Sequence, residues 1–564
     1  MKKLLSAMLV FAFVVIMLSA CNKPQEPVEE EHEYGKVIYV SPDGNDENNG
    51  EKGSPVASLV GAVKAMRAFR TENGLPEGGI KIEFAEGTYN VTKGVTLTAE
   101  DSGTEESPIV FAGADGAQVL FNGGVTLNPA DFVPADDDFK SLLQTEEAKQ
   151  NVVMIDLAKA GCYDLTESAD CFQELFSGNR RMIIARWPND KYCNPGINQQ
   201  NTVIGENGET YIRIPISEEK SELWEGAKDI WFYGMPYIDW ISILFQNIGI
   251  DKSTSSLLFP ASYSTINNEC LFYLFNIPQE LDSPGEYFWD HSTNFLYYWP
   301  KESIENELPV FSQLNQNGFT LDSCSHISFD NLSAKYFRKP FFNINGNHIT
   351  LNNCEISCCS GDTAVDLCGD YNTIKGCLFH ELSTSAVIVH TGDISTQTLG
   401  NTLISDNIIH DWSQIYTTFN AGIDIYGYGA CVSHNELYNS PHLAVAIRAG
   451  QCVVEYNDVH DCCRETSDSG ALYTWGHFSW SGNIFRYNYV HQIYDRISPV
   501  FGITRLGYAN GIYFDWYGRF SEVYGNLFVD IAGSAVMGAA GHTVCENNIC
   551  VNVGETANIF TYGL

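Results

Sequence analysis

Two aspartates in the last third of the chain are the residues best suited to chemistry. Asp468 stands in SDSGALYTWG and Asp515 in GIYFDWYG, each within a short alternating segment beside aromatic residues. Two carboxylates flanking one glycosidic bond can divide the work of hydrolysis. One protonates the leaving oxygen, and the other activates water or attacks the anomeric carbon. Glu465, three residues before Asp468, is the alternative acid. Trp475, Trp480, Trp516 and Tyr517 crowd both motifs, and the apolar faces of sugar rings stack on such side chains. Asp424 and Arg448 are candidate contacts for sugar hydroxyls, and His477 for a leaving group.

These residues need a scaffold, and from about residue 325 the chain supplies one by repeating itself. SFDNLSAKYF, TLNNCEIS, TIKGCLFHEL, LISDNIIHDW, CVSHNELYNS, VVEYNDVHDC, IFRYNYVHQI, EVYGNLFVDI and VCENNICVNV share a strand–Asn–strand pattern. Aligned on that position they give Asn331, Asn353, Gly376, Asn407, Asn435, Asn457, Asn488, Asn526 and Asn548, with a minimum spacing of 22 residues. Three short strands and three turns fit that spacing, as in one coil of a β-solenoid. A column of stacked Asn side chains satisfies turn backbone and is structural.

A second strand follows in each coil. Val365, Val387, Ile423, Val445, Ala471, Ile512 and Val536 are predicted to point inward, and Tyr473 with them. Cys368, His390, Tyr426, Arg448, Thr474, Asp515 and Ala539 form the outward column, where the groove is placed. In this alignment Asp468 lies beside Ala509 and Asp515 beside Thr474, six positions further on. On a straight strand that offset is about 20 Å. The pair therefore requires a bend or a different register. His410, His460 and His491 share a column with Tyr438 and Val529 and read as packing residues; Asp411, Asp461 and Asp530 read as turn residues.

The whole is predicted to be all-β: a right-handed parallel β-helix of the pectate-lyase-like kind. Residues 1–21 read as a lipoprotein signal peptide: Lys2 and Lys3, an apolar run, then LSAC with Cys21 as the lipidation site. An acidic tether follows over 22–34. The N-terminal cap and first coils occupy 35–130, with an amphipathic capping helix from about Ser58 that covers an open sheet edge. An inserted β-rich, sandwich-like domain takes 131–312, and the main helix 313–564. The protein is thus expected to be exported to the cell envelope as a monomer held by the lipid on Cys21.

Composition narrows the partners. Lys+Arg number 32 against 70 Asp+Glu, a formal net charge of -38, which repels nucleic acid and polyuronate chains and tolerates neutral carbohydrate. The 17 cysteines lack zinc-ligand spacing and read mostly as small buried apolar residues. No metal or cofactor is expected; calcium is the one ion that acidic ladders of this kind could take, and no ion-binding motif stands out.

The chain resembles the β-helical glycoside hydrolases of family 141 over nearly its whole mature length. The resemblance is carried by YVSPDGNDENNGEKGSPVASL, ELFSGNRRMIIARWPND, SPGEYFWDHSTNFLYYWP, SDSGALYTWG and GIYFDWYG, the last two being the specific ones. It implies a β-helix with an inserted β-sandwich, activity on fucosylated pectic side chains or xylan, and an acid in each late motif, Asp468 and Asp515. The chain departs from the relatives at Ser469, where Gly is frequent, and at Trp516, where a second acid is frequent. Two other readings stand beside hydrolysis. A polysaccharide lyase needs a Lys or Arg base and neutralised uronates, but the chain has no lysine after Lys375. A non-catalytic glycan-binding adhesin explains the aromatics and the anchor, but not the two motif-borne acids.

Overall fold

The computed structural model describes residues 32–560 apart from 164, 166–172, 191, 195–201, 205–207, 209, 237, 247–248, 261–269, 503–508, 517–519, 539–541 and 555–558. Cys21, Tyr517 and Ala539 lie outside the described residues.

The chain winds as a right-handed parallel β-helix. Strand Lys36–Val40 pairs in parallel with Ile80–Phe84, which pairs with Ile109–Gly113. The helix Leu59–Asn73 packs on this first coil through Leu59, Ala62, Val63 and Met66. Its start is fixed by Ser58, whose Oγ accepts from Gly61 N, and by Asp46 of the opening motif, which accepts from Ala57 N and Ser58 N. The coil then skips nearly two hundred residues: Phe319–Asp330 pairs with both Val95–Thr98 and Ile109–Gly113. The stack therefore runs on as if the insertion were absent.

The insertion is closed where Gly124–Thr126 pairs antiparallel with Val310–Ser312. Its remaining sheets are mostly antiparallel, including one built from Arg186–Trp187, Leu271–Phe275, Trp231–Met235 and Ile243–Gln246. Trp224, Phe232, Phe259 and Phe272 are buried in one of its cores.

The Asn ladder is continuous from Asn407 to Asn548. Each Asn Nδ2 donates to the Oδ1 of the next, over 2.8 Å for Asn407–Asn435 and 3.0 Å for Asn526–Asn548. The three earlier coils depart from the predicted column. Leu332 and Cys354 lie in register with Cys377, and Cys377 N donates to Asn407 Oδ1, so these residues occupy the ladder slot. Asn331, Asn353 and Gly376 fall one residue earlier, at left-handed turn positions with φ of 53°, 51° and 65°. Asn and Gly tolerate that conformation, which is why they imitate the ladder residue in the sequence.

The outer strand column is also shifted by one residue at a single coil. Val445 pairs with Leu472, not Ala471, and Trp475, not Thr474, is the neighbour of Asp515. Thr474 is buried, and Tyr473 belongs to the outer face rather than the core. The run Gly470-Ala471-Leu472 is small and apolar throughout and gives periodicity nothing to grip. The imidazole column is packed as expected: His380, His410, Tyr438, His460 and His491 stack at centroid spacings of 4.7 to 5.1 Å. Ten of the cysteines are buried thiols, and no disulfide occurs among the described residues.

Candidate functional site

Asp515 ends the strand Asn510–Asp515, and its partner strand Gly470–Trp475 begins two residues after Asp468. Asp468 therefore sits in a turn, with φ of 53°, and the straight-strand offset does not apply to it. Two tyrosines bridge what remains. Tyr473 and Tyr513 are cross-strand neighbours on the outer face, their rings edge to face at 5.6 Å. Tyr473 donates its hydroxyl to Asp515 Oδ2 over 2.9 Å, and Tyr513 donates to Asp468 Oδ1 over 2.9 Å. Each coil thus holds the carboxylate of the other.

Burial is the main cause that raises the Asp515 carboxyl above its ordinary range, and the charge of Asp468 pushes the same way. The Tyr473 hydroxyl opposes both, because it donates to the ionised form. Desolvation in turn keeps the Tyr473 phenol protonated, so it stays a donor.

Asp515 opens into a cleft of about 940 Å³ lined by Trp240, Tyr426, Arg448, Tyr473, Trp475 and Trp480, with Trp516 at its edge. Trp475 is 51% exposed and Trp516 66%, so both indoles are accessible to a ligand. Trp516 has φ of 53°, a sparsely populated conformation for an aromatic residue, which turns the chain directly after the acid. Trp240 comes from the insertion, so the cleft has walls from both parts of the chain.

Arg448 stands two coils before Asp515 in the outward column, as expected. It donates to the buried Asp424 and to the Tyr426 hydroxyl. Burial lifts the Asp424 carboxyl to about 6, and its Oδ1 has no hydrogen-bond partner among the described residues. His477 is exposed, bonded to Ser479 Oγ at 2.6 Å, and does not line the cleft. Glu465 is placed elsewhere. Its carboxylate accepts from the Tyr192 hydroxyl over 2.8 Å in a separate cleft of about 270 Å³ under the insertion. The structure brings Asp515, Trp475, Trp480, Trp516 and Arg448 to one cleft, ties Asp468 to it through Tyr513, leaves His477 against Trp480 but outside the lining, and places Glu465 elsewhere.

Tyr473 and Tyr513 were missed as site residues by sequence reasoning. The available signal was a tyrosine at the same strand position in both motifs, ALYTW and GIYFD.

No protein-family model matches the chain. An uncharacterized protein of Bacillus subtilis (strain 168), YwoF, is 32% identical over 94 residues, which is 17% of this chain and 17% of that protein's length. A solved structure described as a glycoside hydrolase superposes with a TM-score of 0.69 at 18% identity, over 92% of this chain and 97% of its own. The likeness is one of fold. It spans the insertion as well as the helix, and supports a shared architecture across nearly the whole chain.

Proposed function

We propose that this chain is a glycoside hydrolase acting on a neutral glycan or a pectic side chain, of fucoside or xylan type. The observation that carries the reading is the crossed arrangement of Asp468, Tyr513, Tyr473 and Asp515, of which Tyr473 and Asp515 line a tryptophan-walled cleft. Asp515, whose carboxyl burial raises above its ordinary value, is the group that delivers a proton to the leaving oxygen. Asp468 is the partner that activates water or attacks the anomeric carbon. Trp475, Trp480 and Trp516 take the apolar faces of sugar rings, and Arg448, positioned by the buried Asp424, takes hydroxyls. The structure described as a glycoside hydrolase, alike in fold, agrees with this reading.

The test is product release from a panel of fucosylated pectic, xylan and other neutral glycans. Reducing sugar supports hydrolysis and names the substrate. Unsaturated products absorbing in the ultraviolet would replace hydrolysis with a lyase reaction. Binding to one glycan with no product at any pH would replace it with an adhesin.

The protonation scheme makes a further prediction. Tyr473→Phe removes the hydroxyl that favours ionised Asp515, so the carboxyl rises further and the proton is kept to higher pH. The alkaline limb of kcat/KM is expected to move upward. An unmoved limb in a variant of native fold would show that Asp515 is not the proton donor.

We also propose that Cys21 is lipidated and anchors the enzyme in the cell envelope, on the motif LSAC. Growth with a labelled fatty acid is expected to label the wild-type protein and not Cys21→Ser; label in both would refute the anchor.

A further inference from the structure

The strand that follows each ladder Asn turns its first and third residues outward, and two consecutive coils fill these positions with metal-ligating groups. Asp458–His460 pairs in parallel with Tyr489–Ile493, and His460 lies directly opposite His491. Glu436 stands beside Asp458 on the preceding coil. One donor atom from each of Asp458, His460 and His491 lies within 4.8 Å of the other two. All three residues are partly exposed, so ions in solution can reach them.

The hydrogen bonds give each imidazole a role. His460 Nδ1 lies 3.2 Å from Asp461 Oδ2, and Asp461 Oδ1 accepts from the Arg496 guanidinium at 2.6 Å. A carboxylate can only accept, so Nδ1 carries the proton of the neutral ring and Nε2 presents its lone pair. A carboxylate behind the ring orients a ligating histidine in this way. His460 Nε2 faces Glu436 Oε1 across 3.8 Å, too far for a hydrogen bond. Two acceptors facing each other call for a cation between them. On the next coil His491 Nε2 is bonded to Asp458 Oδ1 at 3.0 Å. There a metal ion takes the place of the shared proton, which moves to Nδ1 of the same ring.

An earlier pair of coils meets the same need with a lysine. His380 Nε2 lies 3.3 Å from Glu355 Oε1, and Lys335 Nζ lies 2.8 Å from that same oxygen. No lysine or arginine plays this part at Glu436 and Asp458. Among the described residues their ion-pair partners are His460 and His491 alone.

We propose that Asp458, His460 and His491 bind a zinc ion between these two coils, with Glu436 at its edge. Two imidazoles and a carboxylate suit zinc, whereas calcium takes oxygen ligands throughout. Tetrahedral ligands about 2.1 Å from zinc stand about 3.4 Å apart. The two rings, stacked at 4.7 Å, must therefore tilt together along one edge, a side-chain rotation that leaves the strands in place. The site lies in a different sheet from the strand that ends at Asp515. It ties the coil that leads into Asp468 to the coil that leads into Asp515.

Calorimetry with zinc chloride on the full-length, EDTA-treated protein in detergent tests the proposal. Wild type is expected to show one saturable site with a Kd of about 1 μM or below, unaffected by millimolar calcium. His460→Phe and His491→Phe keep a ring in the stack, as Tyr438 does on the preceding coil, and each is expected to weaken zinc binding about 100-fold or more. Asp458→Asn, at a partly exposed side chain, is expected to weaken it about tenfold or more. His410→Phe, in the same column but bonded to Asp411, is expected to bind zinc as wild type does. No saturable site in wild type, displacement of zinc by calcium, or wild-type affinity in either of the first two Phe variants or in Asp458→Asn at native circular dichroism would each overturn the proposal. A loss in His410→Phe equal to that in His491→Phe would also overturn it, by making the effect one of ring packing. None of these outcomes depends on whether Asp468 and Asp515 cleave a glycan.

Discussion

Asp515→Asn is expected to lower kcat/KM on a natural glycan by about 1,000-fold, the scale of losing a positioned proton donor. The loss should depend on the leaving group. A nitrophenol departs without help, so nitrophenyl glycosides should be largely spared in Asp515→Asn. Asp468→Asn should fall by a similar factor on both kinds of substrate, because activating water or attacking the ring is needed whatever leaves. A second consequence separates the two residues. The charge of Asp468 helps raise Asp515, so neutralising it lowers the Asp515 carboxyl. Any activity left in Asp468→Asn should therefore fade at lower pH than in wild type. The double variant should lose little more than either single one, since the two carboxylates serve one transition state. Activity within about tenfold of wild type, in either variant with native circular dichroism, would remove that residue from the chemistry.

The contrast between the two acids and their tyrosines shows what periodicity can read. The 22-residue pattern places Asp515 on the outer face because strand alternation holds through NGIYFD. It misplaces Tyr473 because Gly470-Ala471-Leu472 permits either register, and one residue of slip exchanges the two faces of the strand. The same ambiguity moved the first three ladder positions onto Asn331, Asn353 and Gly376. There a left-handed turn selects Asn or Gly for a backbone reason unrelated to stacking. The cleft under the insertion could not be read at all. Arg186 and Tyr273, which line it, are far apart in sequence and meet through antiparallel pairing of Arg186–Trp187 with Leu271–Phe275, in an insertion without a repeat. What a solenoid repeats is legible; what folds against it across long separations is not.

Stability should be most sensitive at the middle of the Asn ladder, and Asn457→Leu tests this. Asn457 Nδ2 donates to Val432 O at 3.0 Å and Asn488 Oδ1 at 2.9 Å, and its Oδ1 accepts from Asn435 N and Nδ2, each at 3.0 Å. The slot itself tolerates leucine, since Leu332 fills the equivalent place in an earlier coil. Steric strain is therefore not the expected cost. The cost is electrostatic: two buried donors of Asn435, the carbonyl of Val432 and the Oδ1 of Asn488 all lose a partner where water does not reach. Each such loss is worth about 1–3 kcal/mol, and partial relaxation gives an expected total of about 3–5 kcal/mol. Asn548 stands on the last rung described and is partly exposed, so water can replace what its amide supplies. Asn548→Leu should accordingly cost about 1 kcal/mol or less. Urea midpoints of the two variants measure the difference, and faster hydrogen exchange at the Asn435 amide should accompany the larger one. Equal losses at the two positions would mean that the ladder bonds add little beyond backbone pairing. A large loss confined to Asn457 would identify the ladder as the element that holds successive coils, and with them Asp468 and Asp515, in register.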